Sequence, residues 1–320
     1  MKTLHEIRAV YVLPLTELVF RAACVHREHH DPQDVQRCVL LSIKTGGCPE
    51  DCGYCSQSAR YQTPVQATPL LSVEEVVARA TQARELGATR FCMGAAWRGV
   101  KDGPAFERVL EMVRQVRALG LEACVTLGML TEAQAHRLKE AGLTAYNHNL
   151  DTSRGHYGHV VTTRSYDDRL RTIAAVQQAG IAVCCGGILG LGESEEDRLK
   201  LLAELAALAP PPESIPINCL VPIRGTPLQD AAPVGPLQLV RLIATTRIAF
   251  PKARVRLSAG RDRMSPELQA LCFLAGANSV FYGDRLLTAA NPTAADDAAL
   301  FRDLGLSEPA AATRVSEQGV

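Results

Sequence analysis

Three cysteines within eight residues are the strongest chemical signal in this chain of 320 residues. They are Cys48, Cys52 and Cys55 in the segment CPEDCGYC, and the next cysteine and histidine, Cys92 and His136, lie far downstream. Three thiolates can hold a four-iron cluster at three corners and leave the fourth iron free to bind another molecule. The spacing therefore predicts a reactive iron-sulfur centre in this segment.

A zinc site or a set of buried thiols is the alternative interpretation of the same cysteines. Zinc modules usually pair two Cys-x-x-Cys knuckles or add a cysteine and histidine pair at short range, and ferredoxins use four thiolates for each cluster. The unequal spacing and the missing fourth ligand favour the cluster with one open corner.

From residue 37 onward, short apolar runs alternate with amphipathic segments, which is typical of strands followed by helices. The runs predict eight strands, over residues 37–43, 88–93, 121–127, 143–149, 181–189, 214–220, 253–258 and 277–282. The segments between them begin with helix-capping residues, at Ser72 with Glu75, Thr131 with Gln134, Ser194 with Asp197, and Ser265 before Pro266. Several end near a glycine, at Gly87, Gly120, Gly142 and Gly180.

Eight strands in strict alternation with helices predict an α/β fold, a (β/α)8 barrel of the TIM type with an N-terminal helical extension. Barrel enzymes build their sites at the C-terminal ends of the strands, so the cysteine triplet after the first strand is expected at the barrel mouth. Residues 37–291 are predicted to form the barrel. Residues 292–320 are predicted to be a tail whose last twenty or so residues are mobile or dock loosely.

Residues 1–36 are predicted to be a helical lead-in that packs on the outside or base of the barrel. Its apolar positions are Val10, Leu13, Leu18, Val19 and Phe20. A group of histidines near its end is more typical of a solvated helix end than of a metal site, and comprises His26, His29 and His30.

A second set of cysteines falls on separate predicted strands. Cys92, Cys124 and Cys184 lie on strands two, three and five, where the barrel interior normally holds Val, Ile and Leu. A single buried cysteine is usually a small apolar filler, but three on separate strands could converge on one interior point. Cys185 lies beside Cys184 and must face the opposite side, so a shifted register would exchange the two.

Charge and composition limit the partners. Equal numbers of basic and acidic residues, 34 of each, give no overall field that would attract nucleic acid or an anionic membrane, so a small molecule is expected. Eleven cysteines without a signal peptide indicate a reducing compartment, by default the cytoplasm. Five cysteines have no expected partner and are interpreted as core filler: Cys24, Cys38, Cys185, Cys219 and Cys272.

Cys-x3-Cys-x2-Cys with aromatic Tyr54 before the third cysteine resembles the signature of radical S-adenosylmethionine enzymes. Six strings in order, each at a strand or strand end, narrow the resemblance to the biotin synthase family over residues 36–292. They are SIKTGGCPEDCGYCSQS, TRFCMGAAW, LEACVTLG, YNHNLDTS, GGILGLGE and VRLSAGR. The resemblance implies a [4Fe-4S] cluster that binds S-adenosylmethionine and generates a 5'-deoxyadenosyl radical.

The resemblance also implies an auxiliary [2Fe-2S] cluster, held by Cys92, Cys124, Cys184 and Arg256, that supplies the sulfur inserted into dethiobiotin. An arginine ligand is implied only by the family, since a guanidinium normally stays protonated, and an ion pair is the alternative role of Arg256. The family further implies an electron donor such as flavodoxin or ferredoxin, iron-sulfur assembly proteins for cluster repair, and a homodimer.

Polar residues at strand ends complete the predicted site. Asn147, Asn149 and Asp151 alternate along the end of strand four and share one face, although turn residues are an alternative reading of Asn147. By resemblance, Asn149 and Asn218 contact the ureido ring of dethiobiotin, and Asn147 lies beside them. Five residues are predicted to bind S-adenosylmethionine: Tyr54, Asn149, Asp151, Ile188 and Arg169. The resemblance implies Asp151 at the ribose and Ile188 near the adenine, and Arg169 is positioned to pair with the methionine carboxylate. A solvated role remains open for Arg169.

Two alternatives for the whole chain stay open at this point. Another radical S-adenosylmethionine barrel, such as lipoyl synthase, would be expected to carry a second cysteine cluster near the N-terminus, where residues 1–36 contain only Cys24. An iron-sulfur carrier without catalysis would leave Asn149, Asp151 and Asn218 unexplained.

Overall fold

The computed structural model of the chain describes residues 3–306. Its strands are β1 (Gln36–Lys44), β2 (Arg90–Ala95), β3 (Glu122–Thr126), β4 (Ala145–Asn147), β5 (Ala182–Cys184), β6 (Gly187–Leu189), β7 (Ser214–Cys219), β8 (Arg254–Leu257), β9 (Ser279–Phe281), β10 (Arg285–Leu286) and β11 (Ala289–Ala290). Its α-helices are α1 (Leu4–Tyr11), α2 (Leu15–His29), α3 (Val73–Glu85), α4 (Pro104–Ala118), α5 (Glu132–Glu140), α6 (Arg154–Tyr157), α7 (Tyr166–Gln178), α8 (Glu195–Ala207), α9 (Pro236–Ala249), α10 (Pro266–Leu274) and α11 (Ala294–Asp303).

Strands β1 to β9 form one parallel sheet that closes on itself. The strand order is β5-β4-β3-β2-β1-β9-β8-β7-β6, and a further pairing of β5 with β7 completes the ring. The predicted fifth strand is divided into β5 and β6 at residues 185 and 186. A Cβ at Gly186 would lie 2.0 Å from the carbonyl oxygen of Pro216, so the two backbones approach too closely for regular pairing there. The (β/α)8 barrel is confirmed.

Local sequence signals place the helices that surround the barrel. Capping boxes at Ser72, Thr131 and Ser194 start α3, α5 and α8, and Pro266 occupies the first turn of α10. Each box satisfies backbone N–H groups that the first helical turn leaves unpaired. The four glycines expected at helix ends all have positive φ, between 69° and 90°.

Apolar side chains are divided between two regions of the barrel. The larger core lies between the sheet and the helices and includes Phe91 and Met93 of β2. A separate interior cluster contains Cys92, Cys124 and Cys38 together with Ala145. The alternation of β2 therefore turns Cys92 inward and its neighbours outward, as the pleat requires.

An ion-paired arginine lies buried in the sheet. The guanidinium of Arg90 is 1% exposed and donates to Glu122 at 2.7 Å and to both carboxylate oxygens of Glu213 at 3.1 Å. These contacts join β2 to β3 and to the residue before β7.

The lead-in packs on the outside of the barrel, with α1 against α8 and α2 against α9. Leu18 is fully buried there, whereas Phe20 is 65% exposed and does not belong to the core. Cys24 is also exposed, so its interpretation as core filler is wrong. The described residues contain no single helix that is long and apolar enough to cross a membrane, and α1 and α2 reach that length only together, across a bend of 118°.

Helix α11, the last helix that the structure describes, packs against the rest of the chain. Asp297 is 1% exposed and accepts hydrogen bonds from the guanidinium of Arg261, one of them 3.2 Å long. The sequence predicts a mobile or loosely docked tail from about residue 301 onward. This is wrong at Phe301, which is buried. The rest of that prediction, residues 307–320, lies outside the described residues.

The histidines at the end of the lead-in were expected to be solvated, and this expectation is wrong for His26. His26 is 5% exposed, and burial followed by the positive charge of Arg247 lowers the pKa of His26 to about 3. The unfolded chain therefore binds more protons than the folded one between this value and the ordinary pKa of 6.5, and stability is lost as the pH falls below 6.5.

We expect His26 to lower the free energy of unfolding by up to about 1.4 kcal/mol for each pH unit below its unperturbed pKa. Thermal unfolding of wild type and His26→Leu between pH 7 and pH 5 measures this, and the variant should show a shallower pH dependence. His29→Leu, at an exposed position of the same helix, is the control. An unchanged pH slope in His26→Leu would contradict the assignment.

Candidate active site

A cavity of about 340 Å³ opens at the C-terminal ends of the barrel strands. Its wall includes every residue predicted for the site except Cys184, which contacts the lining residues Asn147 and Arg256. The predicted residues that line it are Cys48, Cys52, Tyr54, Cys55, Cys92, Cys124, Asn147, Asn149, Asp151, Arg169, Ile188, Asn218 and Arg256. The structure thus brings the two cysteine sets and the polar strand ends to one cavity.

The cysteine triplet lies in the loop after β1, at the mouth. Backbone hydrogen bonds hold this loop, from Cys48 N to Gln57 O at 3.0 Å and from Cys55 N to Cys52 O at 2.9 Å. Burial raises the pKa of all three thiols, that of Cys52 to about 12. The thiols are therefore neutral until a metal displaces their protons.

A buried hydrogen-bonded network lies beside the triplet. Asp151 is 1% exposed, and its carboxylate accepts a hydrogen bond of 2.9 Å from the hydroxyl of Tyr54 and an ion pair from Arg169. Burial, followed by the charge of Asp151, raises the pKa of Tyr54 well above its usual value, so the phenol remains a donor. The alternative that Arg169 is an ordinary solvated arginine is wrong, because Arg169 is only 3% exposed. Its Nε also donates a hydrogen bond of 2.8 Å to the hydroxyl of Tyr157.

We expect Arg169→Met to destabilise the protein by about 3–5 kcal/mol, because Asp151 would keep a buried charge without its partner. The double variant Arg169→Met with Asp151→Asn should recover most of that loss, since no charge is left. Asn is suited to position 151, where φ is 68°. Urea unfolding of both variants measures the difference, and equal destabilisation would show that the pair is not the cause.

The second cysteine set converges on Arg256, deeper in the barrel. Arg256 is 1% exposed, and its Nη1 lies 3.5 Å from the Sγ of Cys184. Cys92 and Cys124 lie opposite each other in the registers of β2 and β3 and belong to one interior cluster with Cys38 and Ala145. Within residues 3–306 Arg256 contacts Ser279, Cys184 and Gln36 but no carboxylate, in contrast to Arg90, so the ion-pair alternative lacks a partner.

The adjacent cysteines on β5 face opposite sides, as predicted. Cys184 contacts Arg256 and receives a contact of 3.4 Å from the amide nitrogen of Asn147. Cys185 belongs instead to the apolar core between the sheet and the helices. The register therefore favours Cys184 over Cys185 as the inward-facing thiol.

The amide side chains on the cavity wall are fixed by protein contacts. Asn147 donates to the Oδ1 of Asn149 at 3.2 Å and accepts from Thr126 at 3.1 Å. Asn218 donates to the carbonyl oxygen of Gly187 at 3.0 Å. These bonds fix the orientation of the amides, and Asn147 is linked directly to Cys184.

Three residues near the cysteines were not singled out from the sequence. The guanidinium of Arg164 lies 3.8 Å from the Sγ of Cys52. Gln36 Oε1 and Ser279 Oγ bond to Arg256 at 3.3 Å and 2.9 Å. Arg164 lies in a loop without periodicity, which gives no signal, whereas the inward position of Gln36 on strand one could have been read from the alternation of that strand.

Among residues 3–306, no three His, Cys, Asp or Glu side chains form a site for a single metal ion. The cysteines instead surround parts of one cavity. In the inner set, three thiols and a desolvated arginine occupy one interior region, and in the outer set three thiols border open space. Sulfur donors spread around a cavity suit multi-iron clusters.

Comparison with known proteins identifies the family. Residues 42–205 match the Radical SAM superfamily, and residues 216–307 match the Biotin and Thiamin Synthesis associated domain. The chain is 63% identical over 304 residues to a biotin synthase of Gloeobacter violaceus, covering 95% of this chain and 96% of the relative. It is 62% identical over 309 residues to a biotin synthase of Methylobacterium sp. strain 4-46, covering 96% and 93%.

The chain belongs to the biotin synthase family. This confirms the resemblance, the radical S-adenosylmethionine enzyme class and the family's sulfur-transfer chemistry, against the lipoyl synthase and carrier alternatives. The superfamily implies a [4Fe-4S] cluster with S-adenosylmethionine, and the biotin synthase family implies a [2Fe-2S] cluster. The residues around the cavity fit both groups.

The fold also has more distant relatives. The structure of a methylornithine synthase is similar with a TM-score of 0.80, at 21% identity, covering 97% of this chain and 95% of that chain. At this identity the similarity concerns the barrel fold alone.

Proposed function

We propose that this chain converts dethiobiotin to biotin, the last step of biotin biosynthesis, by inserting one sulfur atom through a radical mechanism. The observation that carries the proposal is that one cavity joins an outer three-cysteine site to an inner site of three cysteines and one arginine. Two C–H bonds of the substrate are replaced by two C–S bonds, so the reaction consumes two molecules of S-adenosylmethionine and two electrons.

The outer site is proposed to hold the [4Fe-4S] cluster through Cys48, Cys52 and Cys55. This cluster, when bound, supplies the electron that cleaves S-adenosylmethionine to methionine and a 5'-deoxyadenosyl radical. The carboxylate of Asp151 is held by Tyr54 and Arg169 and is proposed to accept the ribose hydroxyls. Ile188 would provide an apolar surface for the adenine.

Arg169 has a second proposed role at the methionine carboxylate. Its three nitrogens already bind Asp151, Asn149 and Tyr157, which fixes the guanidinium in position. A cation held in this way attracts a carboxylate at little cost in side-chain entropy. Arg164, beside Cys52, offers a further positive charge at the mouth.

The inner site is proposed to hold the [2Fe-2S] cluster through Cys92, Cys124, Cys184 and Arg256. This cluster, when bound, supplies the sulfur atom. Asn147 fixes the Cys184 side of the site through contacts to the carbonyl and the thiol of that residue. Gln36 and Ser279 accept hydrogen bonds from Arg256 and fix its guanidinium.

Dethiobiotin is proposed to lie between the two clusters, with its ureido ring at Asn149 and Asn218. An amide side chain offers both a donor and an acceptor and matches the C=O and N–H groups of a ureido ring. Asn147 lies beside them. The cavity wall near the inner site is apolar at Leu40 and Phe281, which suits an aliphatic portion of the substrate.

The partners follow from this chemistry. Each turnover needs electrons from a donor such as flavodoxin or ferredoxin, and assembly proteins must replace the sulfur and iron that the inner site loses. A homodimer is proposed from the family alone. Eleven free cysteines support a reducing compartment such as the cytoplasm.

Anaerobic turnover tests the proposal. Protein with both clusters reconstituted is supplied with a strong reductant, S-adenosylmethionine and dethiobiotin, and the products are measured by mass spectrometry. We expect biotin with about two molecules of 5'-deoxyadenosine for each biotin, one for each C–H bond broken. Deoxyadenosine without biotin would point to another substrate, and the absence of both from reducible clusters would support a carrier.

A further inference from the structure

Cys38 is a fourth thiol in the inner site. It lies on β1, is fully buried and belongs to the same interior cluster as Cys92 and Cys124. The interpretation of Cys38 as core filler does not account for its polar surroundings.

Cys38 and Arg256 share the same two partners. The Sγ of Cys38 lies 3.5 Å from the Oε1 of Gln36 and 3.7 Å from the Oγ of Ser279. Arg256 donates to the same two oxygens, at 3.3 Å and 2.9 Å. Cys38 also packs in one buried cluster with Cys92 and Cys124, and its strand β1 pairs with β2, which carries Cys92. Cys38 thus stands beside both the thiols and the arginine of the inner site.

We propose that Cys38 is an alternative fourth ligand of the inner [2Fe-2S] cluster, able to take the coordination position of Arg256. The inference rests on the proposed inner cluster. It assigns to this chain four thiols and one arginine around a cluster that needs four ligands, so that Arg256 can leave while the four thiols keep the cluster attached.

Ligand chemistry favours this exchange. Thiolates are the usual ligands of [2Fe-2S] clusters, whereas an arginine must lose a proton before it can bind iron. In the exchange an Fe–N bond breaks and an Fe–S bond forms, and the proton released by the Cys38 thiol is taken up by the Arg256 guanidine. Gln36 and Ser279 contact both groups and lie where that proton must move. No oxidant or reductant is required.

Reconstitution with ⁵⁷Fe and sulfide, followed by Mössbauer spectroscopy, tests the proposal because it counts the two cluster types separately. The full-length chain is compared as wild type, Arg256→Ala, and Arg256→Ala with Cys38→Ser. We expect Arg256→Ala to retain at least half of the [2Fe-2S] content of wild type. The [2Fe-2S] content of the double variant should fall roughly tenfold or more, at least as much as metal affinity falls when a residue that hydrogen-bonds a ligand is removed.

The [4Fe-4S] content of each sample reports whether the protein is correctly folded. The double variant Arg256→Ala with Cys185→Ser is the matched control, because it removes a buried thiol that faces away from the site. Loss of the [2Fe-2S] cluster in Arg256→Ala itself, or its retention in the double variant, would overturn the role of Cys38. Wild type without any [2Fe-2S] cluster would instead refute the proposed inner site.

The nitrogen hyperfine coupling of the reduced cluster provides a second readout. It should be present in wild type, where Arg256 binds, and absent in Arg256→Ala, where four thiolates would surround the irons. A persistent nitrogen coupling in Arg256→Ala would show that another nitrogen ligand, and not Cys38, fills the position.

Discussion

Cys52→Ala is expected to abolish formation of both 5'-deoxyadenosine and biotin while leaving the inner [2Fe-2S] cluster in place. Cys52 is 6% exposed and contributes one of the three thiols at the barrel mouth. Loss of a ligand of the reactive cluster should lower activity by more than roughly 100-fold, which is the upper end for removing a residue that only hydrogen-bonds a metal ligand. Product analysis by mass spectrometry, together with Mössbauer spectra, measures both effects.

Cys24→Ala is the control for this experiment, since Cys24 is exposed on the N-terminal lead-in and has no part in the site. It should form both products at the wild-type rate. Deoxyadenosine formation at the wild-type rate by Cys52→Ala would contradict the assignment of the outer site.

Cys184→Ser and Cys185→Ser are expected to behave as opposites. Cys184 faces Arg256 at the inner site, whereas Cys185 lies in the outer apolar core. Cys184→Ser should therefore lose the [2Fe-2S] cluster and reduce biotin formation by roughly 100-fold or more, because a ligand is replaced by a weaker one. Deoxyadenosine formation should continue, since the outer site is intact.

The neighbouring variant provides the matched comparison. Cys185→Ser should keep the cluster and most of the biotin formation, with a modest loss of stability from placing a hydroxyl in an apolar core. Loss of the cluster in Cys185→Ser and its retention in Cys184→Ser would mean that β5 has a shifted register and that Cys185 is the ligand.

The sequence predicted the barrel well because its signals are local and repeated. Capping residues such as Ser72 and helix-ending glycines such as Gly180 mark boundaries that depend on a few neighbouring residues. The division of the fifth strand at Gly186 was not predicted, because it results from the approach of Pro216, which is distant in sequence.

Parts of the site that depend on long-range packing were harder to predict. The burial of Arg169 follows from its contacts with Asp151 and Tyr157, and nothing in the sequence around Arg169 indicates it. The position of Cys38 beside Arg256 likewise requires the closed barrel, since β1 and β8 are separated by β9. The burial of His26 depends on packing of the lead-in against the barrel helices.

The central claim is that one cavity serves a reactive outer cluster and a sulfur-donating inner cluster. Its most direct test is Mössbauer spectroscopy of ⁵⁷Fe-loaded protein before and after one anaerobic turnover. We predict that the [2Fe-2S] signal falls in proportion to the biotin formed while the [4Fe-4S] signal is retained. Biotin that accumulates with an unchanged [2Fe-2S] signal, in the absence of any added sulfur source, would contradict the account.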